Sequence, residues 1–313
     1  MKNLNILITG GAGYIGSILV ELLLNNKFKV TVYDNFMYNQ NSLGHLCYNS
    51  NLSIIKGDVR DIDKIKPLIN NSDVIIPLAA LVGAPVCSFD PVGSKTINND
   101  SVLKLFKMIS NDQIILMPTT NSAYGTGDKN NYCDEKSPLN PISNYAKDKV
   151  TIETELISKK NYISFRLATV FGVSPRMRLD LLVNDFVYRA VNDKFIVLFE
   201  SHFKRNYIHV RDVARVFLHS INNYEIMKNE IYNVGLSEAN LSKSDLCKFI
   251  KKYIQDFNFF EDSYTKDPDQ RNYIVSNKKI ENKGFKTNYS LEYGVKELIK
   301  GFNYIKRNNH TNF

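Results

Sequence analysis

The 313-residue chain has no tryptophan, no long apolar run and only four cysteines. The cysteines are far apart and form no Cys-x-x-Cys pair, which argues against a disulfide scaffold and against a cysteine zinc site. They are Cys47, Cys87, Cys133 and Cys247. The most apolar early segment, Ile18–Leu24, is much shorter than the ~20 residues of a membrane span, and we see no secretory leader. We therefore expect a cytoplasmic protein with no membrane partner.

The net charge of +8 comes from 40 basic and 32 acidic residues that are spread along the whole chain. No dense basic block occurs, and the tyrosines and phenylalanines lack the basic–aromatic spacing of RNA-binding strands. Phosphate-bearing small molecules also favour basic clefts, so the charge predicts such a ligand and no nucleic acid. Aspartate, glutamate and histidine do not cluster at ligand spacing, and we predict no metal site.

Short β-branched runs alternate with helical patterns over the first half of the chain. The predicted strands are Asn5–Thr9, Lys29–Tyr33, Leu52–Lys56, Asp73–Pro77, Gln113–Met117 and Tyr162–Arg166. The predicted helices are Tyr14–Asn25, Val102–Ile109 and Tyr145–Ser158. Such alternation implies a parallel sheet with right-handed crossovers and helices on both faces. The predicted fold class is therefore α/β, a Rossmann-like doubly wound sheet.

The regular alternation ends near Gly172. A helix is expected at Ser174–Asn192, a strand at Phe195–Phe199 and a helix at Val210–Ile221. No low-complexity linker separates two domains. We expect a cofactor-binding domain at residues 1–172 and, at residues 173–313, mainly a smaller C-terminal lobe that binds substrate. The boundary is soft, with some chain returning to the first domain.

A glycine-rich turn, Gly10–Gly16, lies between the first predicted strand and the first helix. Gly10 and Gly13 permit a tight turn and a close approach of the backbone to a pyrophosphate, while Gly16 allows close helix–strand packing. Asp34 ends the second strand, where a carboxylate can accept hydrogen bonds from the adenosine ribose. No Arg or Lys follows it to accept a 2′-phosphate, so we predict NAD rather than NADP.

Further cofactor contacts are expected from the first helix and from the residues that follow the strands. These are Tyr14, Ile15, Asn35, Asp58, Val59, Leu78, Ala79, Ala80 and Asn98. Asp58 and Val59 would meet the adenine edge, and the small residues after the fourth strand would let the backbone approach the cofactor. Asn98 would hold a backbone group, and Asp61 is expected to cap a helix.

Tyr145 and Lys149 lie four residues apart, on one face of a predicted helix. A phenol has an ordinary pKa of about 10 and is a poor base at neutral pH. A nearby ammonium, helped by the positive nicotinamide ring, favours the phenolate and lowers the pKa by roughly 1–3. Tyr145 could then take a hydroxyl proton while hydride leaves the same carbon for NAD.

Two other pairs have the same spacing, Tyr132 with Lys136 and Tyr224 with Lys228. The first lies in a loop rich in glycine and proline, and the second lies beyond the Rossmann half with no suitable hydroxyl partner. Tyr145 instead opens a helix that follows a strand-end hydroxyl, Thr120. We therefore assign the base to Tyr145.

Other segments accompany the glycine spacing and the Tyr145/Lys149 pair. They are Thr119–Gly125, Arg166 with Phe171–Gly172, Lys204–Ala214 and Tyr232–Gly235. Together they resemble the extended short-chain dehydrogenase/reductase superfamily and, within it, the nucleotide-sugar epimerase and dehydratase branch. The resemblance spans nearly the whole chain.

The resemblance implies a role for each matching residue. Thr120 is the catalytic hydroxyl that works with Tyr145 and Lys149, and Thr169 and Val170 meet the nicotinamide side. The expected contacts to a nucleotide-diphosphate sugar are Thr120, Asn121, Ser122, Arg176, Arg178, Asn184, Arg205 and Arg271. Arg205 would bind the diphosphate through a bidentate pair of hydrogen bonds, as guanidinium groups do. A homo-oligomer, dimer or tetramer, is also implied, and His209 is expected to be structural.

The chemistry on the sugar is only partly defined. Sugar 4,6-dehydratases of this branch carry an Asp-Glu pair after the catalytic threonine, where this chain has Asn121 and Ser122, so dehydration is disfavoured. Cys87 and Cys133 lack the histidine partner of a reductase-epimerase. Two enzyme readings remain, a 4-dehydrogenase and a 4-epimerase, and an NAD-binding regulator without turnover is a third. The run Ile163–Arg178 and the Thr-Thr-Asn-Ser segment at residues 119–122 most resemble NAD-dependent enzymes that oxidise C4 of GDP-D-glycero-D-manno-heptose for capsule synthesis.

Overall fold

The computed structural model describes residues 4–39, 41–126, 133–262 and 271–306. The strands are β1 (Asn5–Thr9), β2 (Lys29–Asp34), β3 (Leu52–Lys56), β4 (Val74–Pro77), β5 (Ile114–Thr120), β6 (Tyr162–Leu167), β7 (Thr169–Phe171), β8 (Phe195–Phe199), β9 (Lys204–His209), β10 (Glu230–Val234), β11 (Asn240–Ser242) and β12 (Asn258–Asp262). The helices are α1 (Tyr14–Asn25), α2 (Ile62–Asn70), α3 (Ala84–Phe89), α4 (Pro91–Lys95), α5 (Ser101–Met108), α6 (Asn144–Ile157), α7 (Leu182–Asn192), α8 (Val210–Asn222), α9 (Tyr224–Met227), α10 (Lys243–Lys251), α11 (Lys278–Glu281) and α12 (Leu291–Gly301). In these ranges, no helix combines the length and the apolar character needed to cross a membrane.

Seven strands form one parallel sheet in the order β10-β6-β5-β4-β1-β2-β3. Strand β1, which lies between β4 and β2, carries Ile6, Leu7 and Ile8, all of which are fully buried because helices cover both faces. Ile6 and Ile8 pack into the core that contains α1 and α8, whereas Leu7 packs into the core that contains α2, α5 and α6. The predicted Rossmann-like doubly wound fold is confirmed.

The remaining strands form two small sheets, with the order β11-β9-β7 and the pair β12-β8. Residues from α7, α10 and α12 pack into the same core cluster as α1 and α8. After β7, β8 and β9, the chain returns to the large sheet, where β10 pairs in parallel with β6.

The predicted helix Ser174–Asn192 is wrong in its first part, because only α7 (Leu182–Asn192) is helical there. Pro175 has no N–H group for a helical hydrogen bond. Side chains in this segment are also committed to other contacts: Ser174 donates to the Tyr14 carbonyl, and Arg178 binds Asp180. The segment is an irregular connection beside α1.

Candidate active site

A cleft of about 920 Å³ lies at the carboxyl ends of β1, β2, β4 and β5. Its lining includes the glycine-rich turn, Thr120, Tyr145 and Lys149, and also residues that follow β6. Ligands of open α/β sheets bind at this edge, because the strand-to-helix loops converge there. The cleft therefore joins the predicted cofactor site and the predicted catalytic groups in one space.

The glycine-rich turn has a backbone that side chains would disrupt. Gly10 has φ +72°, and a Cβ there would lie 2.5 Å from the Ala79 nitrogen. A Cβ at Gly16 would lie 2.6 Å from the Gly10 and Gly11 carbonyl oxygens. Helix α1 then begins with no side-chain cap and no acidic residue in its first turn. Its first N–H groups are thus available to an anion, as a dinucleotide pyrophosphate requires.

Asp34 is held beside this turn. Its Oδ2 accepts a hydrogen bond from the Ala12 nitrogen at 3.0 Å and its Oδ1 one from the Phe36 nitrogen at 2.8 Å. Burial raises the pKa of Asp34, and these hydrogen bonds and the charge of Arg176 oppose that rise. The combination of free helix N–H groups, a glycine turn and a carboxylate at the end of β2 matches what NAD needs.

Most of the predicted cofactor residues line the cleft. They are Gly10, Gly13, Tyr14, Ile15, Gly16, Asp34, Asn35, Asp58, Val59, Leu78, Ala79, Ala80, Tyr145, Lys149, Thr169 and Val170. The Asp58 carboxylate is paired with Arg60, whose Nη2 lies 2.6 Å from Oδ2. The expected helix cap is confirmed at Asp61, which accepts from the Lys64 nitrogen.

Asn98 does not line the cleft, but it holds the backbone that does. It lies in a π-helical turn, Thr96–Asp100, and is fully buried. Its Oδ1 accepts from the Leu81 nitrogen, and its Nδ2 donates to the Leu81 carbonyl, both at 2.8 Å. Asn98 therefore positions the backbone of Leu81, which lines the cleft. This agrees with the expectation that Asn98 holds a backbone group.

Asn184 is fully buried and does not line the cleft, and its predicted contact with the substrate nucleotide stays a prediction. Its Oδ1 accepts from the Gly172 nitrogen, and its Nδ2 donates to the Arg178 carbonyl and to the Tyr14 hydroxyl. The Tyr14 hydroxyl donates in turn to the Gly172 carbonyl at 2.6 Å. These side chains fasten α1 to the end of β7, and only the remainder of Tyr14 borders the cleft.

The catalytic candidates lie on β5 and α6. Strand β5 extends beyond its predicted end to Thr120, whose hydroxyl donates to the Ser122 hydroxyl at 3.0 Å. Ser143 caps α6 by accepting from the Ala146 nitrogen. One turn of this helix places the Lys149 ammonium 5.9 Å from the centre of the Tyr145 ring. All three predicted catalytic residues therefore face one cleft.

A buried carboxylate fixes α6 against the sheet. Glu153 accepts from the hydroxyls of Thr119 and Ser164 and from the Arg166 guanidinium, whose Nη2 lies 2.6 Å from Oε1. The Glu153 and Arg166 side chains are 5% and 4% exposed. Because Glu153 is one turn beyond Lys149, this network sets the position of the catalytic helix.

The pKa of Tyr145 in the cofactor-free protein differs from the prediction. Burial raises it to about 12, although the positive charges of Arg178 and Arg271 oppose the rise. Burial also lowers the pKa of Lys149 to about 8. Burial disfavours the charged form of each group and is the largest cause of each shift.

Two arginines from distant segments reach the cleft, and one of them, Arg271, contacts the hydroxyl pair that Thr120 forms with Ser122. Arg271 donates to the Ser122 hydroxyl, which also accepts from Thr120. Arg205 is 2% exposed, and its Cζ lies 5.6 Å from the centre of the Tyr273 ring. Ser122, Arg205 and Arg271 all line the cleft, and their contacts with a nucleotide-diphosphate sugar stay predictions.

Lys243 and Tyr273 are among the lining residues that were missed from the sequence. Lys243 donates to the Phe199 carbonyl at 2.7 Å, and Tyr273 packs beside Arg205. Lys243 directly follows a capping serine at the start of α10, a position where lysine is usually solvated. No local signal distinguishes it, because only the packing of the lobe brings it to the cleft.

Other predicted substrate residues are placed differently from expectation. Asn121 begins the 3-10 turn that follows β5, is fully buried and does not line the cleft, so its substrate contact stays a prediction. Arg178 lines the cleft but is bound to Asp180 and to the Val82 carbonyl. Arg176 lies over the Tyr38 ring rather than beside Arg205.

The alternative tyrosine at position 224 is excluded as the base. Tyr224 begins α9, is buried in the main core and does not line the cleft, while Lys228 pairs with Glu225. Tyr132 lies outside the described residues. His209 is buried, caps α8 and binds Glu297, so its side chain is structural. Within the described ranges, no three His, Cys, Asp or Glu residues form a group that could hold a metal.

The family model of the NAD-dependent epimerase/dehydratase family matches residues 6–235. The chain belongs to this family. It is thus an enzyme of the NAD-dependent nucleotide-sugar epimerase and dehydratase kind, and NAD is its cofactor.

A putative UDP-glucose 4-epimerase of Methanocaldococcus jannaschii is 29% identical over 98% of this chain and 100% of its own. A UDP-N-acetylglucosamine 4-epimerase structure from Methanobrevibacter ruminantium is 25% identical, with a TM-score of 0.83 over 96% of this chain and 99% of that one. The Thermus thermophilus UDP-glucose 4-epimerase, in complex with NAD, shares the fold at a TM-score of 0.82, with 22% identity over 96% and 99% of the two chains. These comparisons confirm the predicted branch, but they do not show the narrower resemblance to GDP-heptose enzymes.

Proposed function

We propose that the protein is a nucleotide-sugar 4-epimerase, which oxidises C4 of the sugar and then reduces it on the opposite face. The observation that carries this proposal is the single cleft that Thr120, Tyr145 and Lys149 share with the glycine-rich turn and with Arg205. The full-length relative of Methanocaldococcus jannaschii, a putative 4-epimerase, supports the same choice.

In this mechanism the guanidinium groups of Arg205 and Arg271 bind the diphosphate, and Thr120 orients the C4 hydroxyl toward Tyr145. The bound dinucleotide supplies a hydride acceptor, which later serves as the donor. Tyr145 takes the hydroxyl proton when C4 is oxidised and gives it back when the ketone is reduced. Lys149 stabilises the phenolate form of Tyr145 by its positive charge. Epimerisation also requires the keto sugar to turn over in the cleft before reduction.

Dehydration is not supported by the residues after Thr120. Elimination of water needs an acid and a base near C5 and C6, and Asn121 is buried away from the cleft. The Ser122 hydroxyl faces the cleft but already accepts from Thr120 and Arg271. A hydroxyl and an amide supply neither function at neutral pH.

A 4-dehydrogenase acting on GDP-D-glycero-D-manno-heptose is the second candidate, favoured by the run Ile163–Arg178. It uses the same Thr120, Tyr145 and Lys149, but the keto sugar leaves and reduced nicotinamide remains. A third candidate, an NAD-binding regulator, would have no use for these catalytic groups. The cytoplasmic location, the role in capsule synthesis and the homo-oligomeric state remain predictions.

The test is NMR product analysis with oxidised nicotinamide and three sugars: UDP-glucose, GDP-mannose and GDP-D-glycero-D-manno-heptose. An inverted C4 hydroxyl with no net reduction of nicotinamide supports the epimerase. A C4 ketone with an equal amount of reduced nicotinamide instead supports the dehydrogenase.

Tyr145→Phe removes the proposed base, and Tyr224→Phe is the matched control because Tyr224 has the same spacing to a lysine outside the cleft. We expect Tyr145→Phe to lose at least roughly 100-fold in kcat, in line with general acid–base catalysis, and the control to keep wild-type turnover. Equal turnover of both variants on an accepted sugar would rule out the mechanism.

A further inference from the structure

Arg176 lies deep in the cleft, beside the glycine-rich turn rather than beside the catalytic hydroxyl. It is 2% exposed, and its Cζ lies 4.0 Å from the centre of the Tyr38 ring. Gly13, Asp34, Tyr38 and Arg176 all line the same cleft. Stacking of a guanidinium on an aromatic ring fixes its plane and leaves its N–H groups able to donate within that plane. One of them, on Nη1, donates to the Met177 carbonyl at 3.4 Å. Tyr38 therefore presents Arg176 in a defined orientation.

The segment that carries Arg176 is fastened to the first turn of α1. Ser174 donates to the Tyr14 carbonyl at 2.7 Å, and its hydroxyl lies 3.0 Å from that of Ser17. Arg176 follows two residues later, so it lies near the start of α1, which has no side-chain cap and no acidic residue in its own first turn. The helix N-terminus and the guanidinium together create a strongly positive region.

The neighbouring charges favour an anion in this region. Burial and the positive charge of Arg178 lower the pKa of Arg176 to about 10, despite the opposing charges of Asp34 and Asp180. Asp180 is bound by Arg178, and Asp34 accepts two backbone hydrogen bonds. An anion beside Arg176 would stabilise the charged form of a guanidinium that burial disfavours.

We propose that Arg176, oriented by Tyr38, binds the pyrophosphate of the dinucleotide. The pyrophosphate is the anionic group that lies at the first helix of this fold. A 2′-phosphate is a poorer occupant, because it would lie beside the Asp34 carboxylate. The substrate diphosphate is also less suited to a contact with Arg176. Arg271 binds Ser122 beside Thr120, where the substrate would react, and Arg176 does not. The assignment holds whichever sugar the enzyme accepts.

The test is calorimetric titration of ADP-ribose into the full-length protein after removal of bound nucleotide. Arg176→Met is compared with Arg189→Met, which removes an arginine that pairs with Asp185 on α7 and does not line the cleft. Loss of a charge-assisted contact should weaken ADP-ribose binding by roughly 10- to 100-fold in Arg176→Met. Arg189→Met should bind like the wild type.

Two further probes separate the alternatives. A loss confined to 2′-phospho-ADP-ribose would assign Arg176 to a 2′-phosphate, and a loss confined to UDP or GDP would assign it to the substrate; either result overturns the proposal. Tyr38→Phe keeps the ring and should bind ADP-ribose like the wild type, whereas Tyr38→Leu should bind it several-fold more weakly. Equal binding by these two variants contradicts the orienting role of Tyr38, even if Arg176→Met does not fold.

Discussion

For single residues in the cleft, burial disfavours the charged forms of the side chains that catalysis needs. Lys149 is buried, and its pKa of about 8 lies below its ordinary value of 10.5 because burial disfavours the ammonium. Folding therefore favours the neutral amine. Below pH 8 the buried charge costs about 3 kcal/mol, because each pH unit of difference corresponds to about 1.4 kcal/mol. This cost falls as pH rises from about 8 toward 10.5 and is absent above it.

Lys149→Met should accordingly raise the free energy of unfolding at pH 7 by up to about 3 kcal/mol while abolishing turnover. The difference from the wild type should shrink at pH 10. Urea unfolding of both proteins at the two pH values measures this effect without cofactor. Lys147→Met is the control, since Lys147 is exposed on the same helix and should change neither quantity. A Lys149→Met protein less stable than the wild type at pH 7 would contradict the prediction.

The phenol of Tyr145 should respond to the cofactor. Its pKa is about 12 without NAD, so it is protonated at neutral pH. The positive nicotinamide ring favours the phenolate, and NAD should therefore move the ionisation of Tyr145 to lower pH. Ultraviolet titration of the wild type minus Tyr145→Phe, with and without NAD, measures the shift. An unchanged ionisation would mean that the cofactor does not activate the base.

At the scale of elements, local patterns predicted the first half of the chain well. The bounds of β1, α1 and β3 are the predicted ones, because alternating apolar residues and a glycine turn define them locally. The start of α7 was missed, since a proline and side-chain contacts outweigh the helical pattern before it. The burial of Asn121 and Asn184 away from the cleft could not be predicted, because only packing decides whether a side chain faces the cleft.

The glycine-rich turn allows folding and cofactor binding to be separated. A Cβ at Gly13 would meet only the Gly10 carbonyl oxygen, at 3.1 Å, whereas one at Gly16 would meet two carbonyl oxygens at 2.6 Å. Gly13→Ala should keep a nearly wild-type melting temperature but bind NAD weakly, because its methyl group occupies the cleft. Gly16→Ala should lose about 1–3 kcal/mol of stability from overpacking. Tight NAD binding by Gly13→Ala would show that the pyrophosphate lies elsewhere.

The buried ion pair of α6 should affect both stability and catalysis. Glu153→Gln leaves the Arg166 guanidinium buried without its carboxylate, and we expect a loss of about 3–5 kcal/mol and lower kcat. Glu155→Gln, exposed on the same helix, is the control. The double variant Glu153→Gln/Arg166→Met should regain part of the stability in urea unfolding. No recovery would mean that the other contacts of Glu153 dominate.

At the scale of the whole molecule, basic residues outnumber acidic ones and give a net charge of +8, and the same excess is found in the cleft. Six cationic side chains line it (Lys149, Arg176, Arg178, Arg205, Lys243 and Arg271), against four carboxylates (Asp34, Asp58, Asp180 and Asp185). Sequence composition predicted a phosphate-bearing ligand, but it could not locate these cations, which come from segments far apart in the chain.

A cationic cleft makes substrate binding sensitive to salt. Between roughly 0.05 and 0.5 M salt, KM for a nucleotide-diphosphate sugar should rise several-fold, because counterions screen the attraction. The value of kcat should change little, since groups enclosed with bound substrate are screened less. Steady-state kinetics at several salt concentrations measures both, and a salt-independent KM would argue against electrostatic recognition.

The return of β10 to the large sheet has a consequence for synthesis on the ribosome. Strand β6 is exposed at the sheet edge until β10 pairs with it, and β7, β8 and β9 are made in between. A nascent chain that has emerged only as far as β9 thus presents an open strand edge, which favours pairing with other chains. Folding of the sheet and of the lobe must therefore finish together, late in translation, and chaperone demand should be greatest just before β10 appears.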